Sequence, residues 1–513
     1  MRLSALLRNL PTPFAPVARF GAVEADPVIR GLAYDSRQIS PGELFIALPG
    51  SADDGHDYLG RALELGAAAL LVDRPTEDLP LGEAVAVQVP DTRRALGFLA
   101  TAFFGVPSSE MDLVGITGTN GKTSTSYMTE SILESAGINA GLIGTVDIRY
   151  GKEKISATNT TPESLDLQRT LRAMLTHGVS TAVLEVSSHG LELGRVAGCH
   201  FKVGAFTNLS QDHLDFHGDM ESYLASKTLL FRDFLDQQST AVINIDDNSS
   251  ETILEAARKA GARILRCSRH PEAGAEIALV HAEMNLSGTQ ATVSIQGKNL
   301  ALQMPLVGDF NLENLLIACG IASALGISDE GILRGIADCP QVPGRMERIQ
   351  GGESAPTVIV DYAHTPDAME KLLETVRDLA SGRLITVFGC GGDRDRAKRP
   401  LMAQAVDQKT DLAIATSDNP RTEDPDKILH DVETGLTRLN KTRPEDFGLH
   451  DASYTVLASR REAIERAIEI SRPEDTVVLA GKGHEDYQII GTKKFPFDDR
   501  IEAQRALNER GGR

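Results

Sequence analysis

The sequence predicts an α/β protein of three domains, with parallel sheets in the central and the C-terminal domain. A chain of 513 residues is too long for one compact core, and domains of roughly 100 to 200 residues give about three of them. From residue 107 onward, apolar runs alternate with helical patterns, which is typical of parallel strands covered by helices. We therefore place the domains at 1–106, 107–341 and 342–513.

The three regions differ in the pattern of their predicted strands and helices. Residues 1–106 carry short β-type runs such as ELFIALPG and AVAVQVP, and the turn GVPSSE marks the predicted boundary. In the central region the predicted strands include MDLVGIT, TAVLEVSS and VGAFTNLS. Residues 270–306 alternate over short spacings instead, which predicts a small antiparallel insertion.

The C-terminal region alternates again, which predicts an open, doubly wound sheet of the Rossmann type. Its predicted strands TVIVDYAHTP, RLITVFGCGG, DLAIATSDNP and DTVVLAGKGHE each end in a polar or glycine-rich loop. Ligands of open α/β sheets bind at the carboxyl ends of the strands. The loops DYAHTP, GCGGDRDR, SDNPR and GKGHE are therefore expected to share one rim.

Composition excludes several classes of function. The net charge of −20 argues against general binding of nucleic acid or anionic membranes, which requires basic surface fields. The 5 cysteines are scattered and never spaced C-x-x-C, so neither a disulfide framework nor a zinc site is predicted. We identify no signal peptide and no apolar run of about 18 residues, and expect a cytoplasmic protein without a membrane span.

The segment GITGTNGKTST predicts a phosphate-binding P-loop, because it follows a strand and opens a helix. Lys122 supplies a point charge for the β and γ phosphates of ATP, and the Thr123 hydroxyl suits Mg²⁺. A plain glycine turn is the alternative. The loop departs from the pattern G-x-x-x-x-G-K-[ST], because only Thr117 or Gly115 could serve as its early position. This departure points toward ATP-dependent amide ligases. The predicted ATP contacts in this P-loop domain are Gly118, Thr119, Asn120, Gly121, Lys122, Thr123 and Ser124.

Polar residues follow the next two predicted strands. Glu185 ends the strand in TAVLEVSSHG, where a carboxylate is a natural Mg²⁺ ligand, although an exposed strand-end glutamate is the alternative. The segment QDHLDFHG adds His213 and further acidic and histidine side chains to the same rim. Lys227 lies in the helical stretch ESYLASKTLLF, where the residues alone would predict a solvated surface lysine.

The ordered motifs resemble those of the Mur ligases, which build the stem peptide of peptidoglycan. They include GTNGKTST, NTTPES, EVSSHGLELGR, DHLDFHG, SKTLLF, GDFNLENLLIA, PGRME, VDYAHTPDAME, GCGGDRDRAKRP, SDNPR and AGKGHE, and they cover nearly the whole chain. The resemblance implies a ligase that adds the third amino acid to UDP-N-acetylmuramoyl-L-alanyl-D-glutamate. The D-glutamyl carboxylate would take the γ-phosphoryl group of ATP, and the incoming amine would attack the acyl phosphate.

The resemblance also implies roles for individual residues. Lys122, Glu185, His213 and Lys227 would form the catalytic set, and Lys227 would carry a carbamate derived from CO₂. Thr123, Glu185 and the carbamate on Lys227 would hold Mg²⁺. The remaining ATP contacts would be Asn311 and Asn314 on the adenine side, with Arg345 and Asp361 from the third domain.

The nucleotide substrate would lie against the first domain, at Ser36 and the 51–53 turn. Its pyrophosphate and peptide end would contact Asn159, Thr160, Thr161, Ser187 and Arg195. The chain departs from the family pattern at Phe310, where the family has histidine, and at Leu193, where relatives often have glutamine. Phe310 would change one contact with the adenine, and Leu193 would remove one polar contact with the substrate.

The loop ATSDNPRTEDP holds one arginine between prolines and acidic or amide side chains. Among the ligases it resembles, D-N-P-R belongs to those that add meso-diaminopimelate, and those that add L-lysine lack the arginine. Diaminopimelate carries one extra carboxylate, which a planar guanidinium can bind with two hydrogen bonds. A capped loop with a surface arginine is the alternative. The implied pocket comprises Arg394, Asp418, Asn419, Pro420, Arg421, Gly481 and Glu485, with Glu485 taking the far ammonium.

Three other functions stay open at this point. The same ligase could use L-lysine, or the chain could be a folylpolyglutamate synthase, which shares GTNGKT but needs neither NTTP nor DNPR. A P-loop regulator that hydrolyses nucleotide to switch a partner is the third. The expected partners are small molecules only, namely ATP, the UDP-muramyl dipeptide and meso-diaminopimelate, and we expect a monomer.

Overall fold

The computed structural model describes residues 1–50, 53–76, 79–352 and 354–511. The chain forms two compact units. Unit 1 comprises Met1–Ser268, Ala275–Ile277 and Ile317–Ile332, and unit 2 comprises Arg269–Gly274, Ala278–Leu316 and Leu333–Arg513. The domain boundaries given above stay predictions.

The first sheet of unit 1 lies near the N-terminus. Its strands are β1 (Ala18–Gly21), β2 (Leu32–Ala33), β3 (Leu44–Ile46), β4 (Ala69–Val72) and β5 (Val85–Gln88). Their order is β1-β5-β4-β3-β2, with β1 antiparallel to β5 and the other pairs parallel. The helices here are α1 (Leu3–Leu7), α2 (Leu59–Glu64) and α3 (Thr92–Phe103). α3 begins after Asp91, whose carboxylate accepts from the backbone N–H of Arg94.

The second sheet of unit 1 carries the P-loop. Its strands are β6 (Asp112–Thr117), β7 (Ala140–Ile143), β8 (Asp147–Tyr150), β9 (Glu153–Ser156), β10 (Thr181–Glu185), β11 (Val203–Phe206), β12 (Thr240–Asn244) and β13 (Arg263–Ser268). Within unit 1 the order is β13-β12-β11-β6-β10-β7-β8-β9, and only β8 and β9 are antiparallel to their neighbours. The helices are α4 (Lys122–Ser135), α5 (Ser164–Thr176), α6 (Ser188–Glu192), α7 (Leu214–His217), α8 (Met220–Asp233) and α9 (Ser250–Ala260).

The register of this sheet places three loops at one edge. Glu185 at the end of β10 pairs with Ile116 of β6, and Phe206 at the end of β11 pairs with Thr117. Because parallel strands end at the same edge of a sheet, the P-loop, Glu185 and the segment after Phe206 meet there.

Unit 2 contains the predicted antiparallel strands, β14 (Ile277–Asn285), β15 (Gly288–Ile295) and β16 (Lys298–Met304). The pairing of β15 with β16 is antiparallel, as predicted. Two helices follow, α10 (Asp309–Ala324) and α11 (Asp329–Ala337). Ile277 of β14 and Ile317–Ile332 of these helices belong to unit 1.

The C-terminal sheet of unit 2 is covered by helices on both faces. Its order is β17-β18-β23-β19-β20-β22-β21, with β17 antiparallel and the other pairs parallel. Leu384 and Phe388 of β19 pack into one hydrophobic core, whereas Ile385 and Val387 pack into another, as alternation along a strand requires. The strands are β17 (Glu347–Ile349), β18 (Thr357–Asp361), β19 (Leu384–Phe388), β20 (Leu412–Ala415), β21 (Asn440–Lys441), β22 (Ser453–Val456) and β23 (Thr476–Ala480). The helices are α12 (Pro366–Leu379), α13 (Lys398–Lys409), α14 (Pro425–Glu433), α15 (Arg460–Ile470) and α16 (Asp499–Gly511).

A separate hairpin follows β23. It consists of β24 (Tyr487–Ile490) and β25 (Lys493–Pro496), paired antiparallel. The predicted α/β class with parallel-rich sheets is confirmed. Among the described residues, no helix is both long and apolar enough to cross a membrane.

Candidate functional site

The P-loop of unit 1 is held in place by the segment after β11. The backbone N–H of Thr119 donates to the Asn208 carbonyl over 2.8 Å, and that of Asn120 donates to the Asn208 side chain over 2.9 Å. The Thr207 hydroxyl donates to the Asn120 carbonyl over 2.6 Å. These bonds use the N–H groups of Thr119 and Asn120. The N–H groups in the first turn of α4 therefore remain to bind a phosphate.

Lys122 begins α4 and folds back over the loop. Its ammonium donates to the carbonyls of Gly118 and Thr119, over 2.8 and 2.9 Å. Gly121 precedes it at φ 86°, a left-handed conformation that favours glycine. A positive charge therefore lies at the helix N-terminus, where an anion is already favoured.

Gly118→Ala is expected to reduce ATP-dependent turnover by about tenfold or more, because the loop must move away from Thr207 and Asn208. At φ 149°, a Cβ there would lie 1.9 Å from Thr207 Oγ1 and 3.0 Å from the Asn208 backbone nitrogen. Gly137→Ala is the matched control, since Gly137 also has a positive φ, 77°, but meets nothing within 4 Å. KM for ATP and kcat of both variants test this. Equal losses in both would show that backbone strain alone is responsible.

Glu185 is fully buried, which excludes the exposed strand-end glutamate. Its carboxylate accepts from the Thr123 hydroxyl over 3.0 Å, and from the backbone N–H and hydroxyl of Thr145 over 3.1 and 2.8 Å. Gly144 makes room for it, because a Cβ there would lie 2.3 Å from Glu185 Oε1. The adjacent hydroxyl and carboxylate are the hard oxygen donors that Mg²⁺ prefers. In the described part of the chain, no group of three or more His, Cys, Asp or Glu side chains is arranged to hold a metal ion.

Lys227 lies on α8 and is 1% exposed, so the surface position predicted from the residues alone is wrong. Its ammonium lies 4.3 Å from the centre of the Tyr223 ring. Burial lowers the pKa of Lys227 well below its usual range, and the charge of nearby Lys122 acts in the same direction. The Tyr223 hydroxyl is 3.2 Å from Thr119 Oγ1, which ties this helix to the P-loop.

His213 belongs to a group of aromatic rings on the same edge. It immediately precedes α7, at φ 55°, and its ring centre lies 4.8 Å from that of His189. His189 also packs against Phe216 and His217, at 4.1 and 5.4 Å between ring centres. Burial, with the charges of His213 and His217, lowers the pKa of His189 to about 4. The pKa of His213 is also lowered, first by burial, so these imidazoles are neutral at pH 7.

The NTTP segment lies directly beside Glu185. The Thr161 hydroxyl donates to the Glu185 carbonyl over 2.9 Å and accepts from the Ser187 N–H over 2.9 Å. The Thr160 and Thr145 hydroxyls are 3.1 Å apart, and Asn159 is exposed. The structure thus brings the predicted substrate contacts of the central region next to the P-loop.

Arg195, a predicted substrate contact, is held in place by several hydrogen bonds. Its guanidinium donates to Glu163 and to the Thr161 carbonyl, both over 3.0 Å. Arg93 of α3 donates to the same Glu163 oxygen over 3.0 Å, so two arginines share one carboxylate. Ser36 is buried on the turn Ser36–Gln38, and Leu193 is the residue that follows α6. Of the 51–53 turn, residues 51 and 52 lie outside the described residues.

The predicted adenosine contacts lie in unit 2. Asn311 and Asn314 are buried, and the Asn314 amide donates to Asn311 Oδ1 over 3.0 Å. Phe310 packs against the core that contains Met369 and Leu372. Arg345 lies 4.7 Å above the Tyr362 ring centre.

Asp361 ends β18 and stabilises the PGRM turn. Its carboxylate accepts from the backbone N–H of Met346 over 2.7 Å and from that of Ala363 over 2.8 Å. Burial raises the pKa of Asp361, while Arg345 acts in the opposite direction.

Arg421 occupies a left-handed conformation at φ 51°, which is uncommon for a bulky residue. Its N–H donates to the Ile489 carbonyl over 3.0 Å, and its carbonyl accepts from Gly491 N over 2.7 Å. Its guanidinium donates to the Gly392 carbonyl over 2.7 Å. The hairpin and the GCGG loop therefore fix this arginine on two sides, which a freely solvated surface arginine would not need.

The loops that carry Arg394 and Arg421 are joined to each other. Asp393 accepts from the backbone N–H of Thr422 over 3.0 Å, while Arg394 itself is exposed. Arg399 is fully buried and donates to Glu423 over 2.7 Å. A Cβ on Gly392 would lie 1.9 Å from the Pro420 carbonyl oxygen, so the two loops touch.

The other predicted pocket residues also come together. The Asn419 amide donates to Glu485 over 2.9 Å, and a Cβ on Gly481, at φ 113°, would lie 3.0 Å from Asp418 Oδ2. The buried Lys482 lies among them. It belongs to the AGKGHE motif, but no role was predicted for it. No role was predicted for Tyr223 or Asn208 either, although both lie in segments named above, ESYLASKTLLF and VGAFTNLS. Thr145 and Arg93 lie outside every motif.

Comparison with known proteins shows which family the chain belongs to. Three protein-family models match the chain: "Mur ligase family, catalytic domain" over residues 28–104, "Mur ligase middle domain" over 116–322 and "Mur ligase, glutamate ligase domain" over 344–483. The chain belongs to the Mur ligase family. As a Mur ligase it is an enzyme. The predicted α/β fold class and the ligase activity implied by its motifs are both confirmed.

Several relatives of this Mur ligase carry one name, UDP-N-acetylmuramoyl-L-alanyl-D-glutamate--2,6-diaminopimelate ligase. One from Geobacter metallireducens is 45% identical over 94% of both chains. One from Geobacillus thermodenitrificans is 43% identical over 99% of this chain and 100% of its own. A solved structure with the same name has a TM-score of 0.68 at 32% identity, and covers 100% of this chain and 99% of that one.

More distant structures share the fold alone. A folylpolyglutamate synthase from Mycobacterium tuberculosis, complexed with ADP, has a TM-score of 0.62 at 19% identity. It covers 76% of this chain and 91% of its own. The P-loop fold is thus common to both kinds of ligase and does not by itself select between them.

Proposed function

We propose that this ligase joins meso-2,6-diaminopimelate to the D-glutamyl carboxylate of UDP-N-acetylmuramoyl-L-alanyl-D-glutamate, using ATP, in peptidoglycan synthesis. The single observation that carries the substrate assignment is the name shared by relatives 42% to 45% identical over nearly the whole chain. The fixed arginine of the DNPR loop supports the choice of amino acid.

The chemistry needs a better electrophile than a carboxylate. Transfer of the γ-phosphoryl group breaks its bond to the β-phosphate and forms an acyl phosphate and ADP. The amine of diaminopimelate then attacks the acyl carbon, expels phosphate and loses a proton. The protein's main contribution is to position the reactants and to stabilise negative charge.

Unit 1 would bind the phosphates and the metal. The first turn of α4 and the Lys122 ammonium would stabilise the β and γ phosphates. Mg²⁺ fits the Thr123 hydroxyl and the Glu185 carboxylate, and when bound it would neutralise phosphoryl charge. His213, which has neutral rings beside it, would lie at the edge of this site.

A carbamate on Lys227 would add oxygen donors to the same site. Burial and the nearby charge of Lys122 make the Lys227 ammonium costly as a cation, and the Tyr223 ring offsets only part of that cost. Reaction of the neutral amine with CO₂ forms an N–C bond, releases a proton and leaves an anion that suits Mg²⁺. We propose this carbamate as a third metal ligand.

Substrate contacts follow from the remaining clusters. Ser36, Asn159, Thr160, Thr161, Ser187 and Arg195 would bind the nucleotide and the peptide end. Asn311, Arg345 and Asp361 would contact the adenosine and phosphates of ATP. Arg394, Asp418, Asn419, Pro420, Arg421, Gly481 and Glu485 would form the diaminopimelate pocket. We also propose that this ligase is a cytoplasmic monomer.

Phosphate release from ATP tests this function. We expect release to require both the UDP-muramyl dipeptide and meso-diaminopimelate, with L-lysine a poor substitute. A requirement for folate and glutamate would indicate a folylpolyglutamate synthase. Release without the muramyl nucleotide would indicate a nucleotide-hydrolysing regulator, and either result would overturn the proposal.

A further inference from the structure

Lys482 is a fully buried lysine in the loop after β23, and none of the roles above uses it. Its ammonium donates to Glu485 Oε2 over 2.9 Å. It also lies 3.4 Å from Asn419 Oδ1 and 3.6 Å from Asp418 Oδ1. A buried ammonium is retained only when such partners compensate the loss of water.

These contacts set the orientation of Asn419. Its Oδ1 accepts from Lys482 and from the backbone N–H of Ile489, the latter over 2.9 Å. Its Nδ2 must then point the other way, and it donates to Glu485 Oε2 over 2.9 Å. One amide flip would place donors against both Lys482 and the Ile489 N–H, so the arrangement has one favourable state.

Glu485 is thereby held through a single oxygen. Its Oε2 accepts from both Lys482 and Asn419. In the described part of the chain, no group donates to its Oε1, and the side chain is 16% exposed. The carboxylate therefore presents one oxygen, in one orientation, to a ligand.

We propose that Lys482 is a positioning residue that sets the stereospecificity of the amino-acid site, an inference that rests on the proposed function. With Arg421 binding the far carboxylate, the ammonium on the same carbon reaches Glu485 Oε1 in only one configuration of that carbon. A Glu485 fixed by Lys482 discriminates between configurations, whereas a mobile Glu485 follows either ammonium.

Charge balance supports the same role. Asp418, Glu485 and Lys482 together carry one net negative charge, which one ligand ammonium neutralises. Without Lys482 the two carboxylates would repel each other, and Glu485 would turn away from Asp418. The lysine thus makes the pocket ready for a single ammonium.

The test compares meso- with LL-diaminopimelate as substrates of wild type and of Lys482→Met. We expect kcat/KM for the meso isomer to fall about tenfold or more, through KM, and the meso-to-LL ratio of kcat/KM to fall at least about threefold. The ratio is measured on one preparation, so a smaller folded fraction does not affect it. Lys371→Met, on the exposed face of α12 and paired with Asp367, is the matched control.

A second variant separates this role from simple stabilisation. In a Glu485→Gln background, Lys482→Met should change the isomer ratio little, because the two act together. An unchanged isomer ratio in Lys482→Met, or equal effects in both backgrounds, would overturn the inference. A wild type that does not turn over meso-diaminopimelate would instead overturn the proposed function.

Discussion

Lys227→Ala is expected to lower kcat of the ligase by about a thousandfold, because charge stabilisation at the transferred phosphoryl group supplies much of the catalysis. The proposed carbamate is lost with the amine, and Thr123 and Glu185 remain as the other proposed oxygen donors to Mg²⁺. Phosphate release at saturating substrates measures the effect. A short carboxylate such as acetate should restore part of the activity, since it can occupy the space of the missing side chain.

Lys259→Ala is the control for Lys227→Ala. Lys259 is also a helical lysine, but its side chain is 72% exposed and pairs with Glu255 on the surface, so we expect no loss. Full activity of Lys227→Ala would dismiss the carbamate. Loss without recovery by any small carboxylate, in a folded protein, would leave a packing role for the lysine and count against a metal ligand.

Arg421→Ala is expected to lower kcat/KM for meso-diaminopimelate by about a hundredfold, because the far carboxylate loses its bidentate partner. Turnover of L-lysine, which has no such carboxylate, should not fall. The substitution adds no backbone strain of its own, since alanine at φ 51° is strained as arginine is. Steady-state kinetics with both amino acids provide the measurement.

Two companion variants sharpen the Arg421 result. Arg421→Lys keeps the charge but loses the planar fork, so we expect an intermediate loss. Arg443→Ala removes an arginine whose side chain is 73% exposed and paired with Asp446, and should have no effect. Unchanged diaminopimelate kinetics in Arg421→Ala would identify the arginine as a bystander.

The alternation of apolar runs was sufficient to predict the class of the fold. Buried parallel strands such as Thr476–Ala480 are apolar at nearly every position, and that pattern is local, so it can be found in the sequence. The rim loops could be predicted for the same reason, because strand order does not change the edge at which parallel strands end. Glu185 was predicted to lie near the P-loop on this basis, and its carboxylate accepts a hydrogen bond from the Thr123 hydroxyl.

Contacts set by tertiary packing could not be predicted in this way. Lys227 is a helical lysine whose burial depends on Tyr223 and on the sheet beneath it, and helical periodicity gives no sign of this. Thr145 and Arg93 lie outside any motif, since they reach the site only through the fold. Lys482 stands inside a quoted motif, yet its role depends on Asn419, 63 positions away.

The hairpin Tyr487–Pro496 determines the geometry of the proposed amino-acid site. It contributes main-chain bonds to both sides of Arg421, and its Ile489 N–H holds the Asn419 side chain. The four letters D-N-P-R therefore do not encode a self-sufficient module. If these four residues were introduced into a relative with a different hairpin, their side chains would lack the hydrogen bonds that orient them. We therefore expect the loop and the hairpin to change together in evolution.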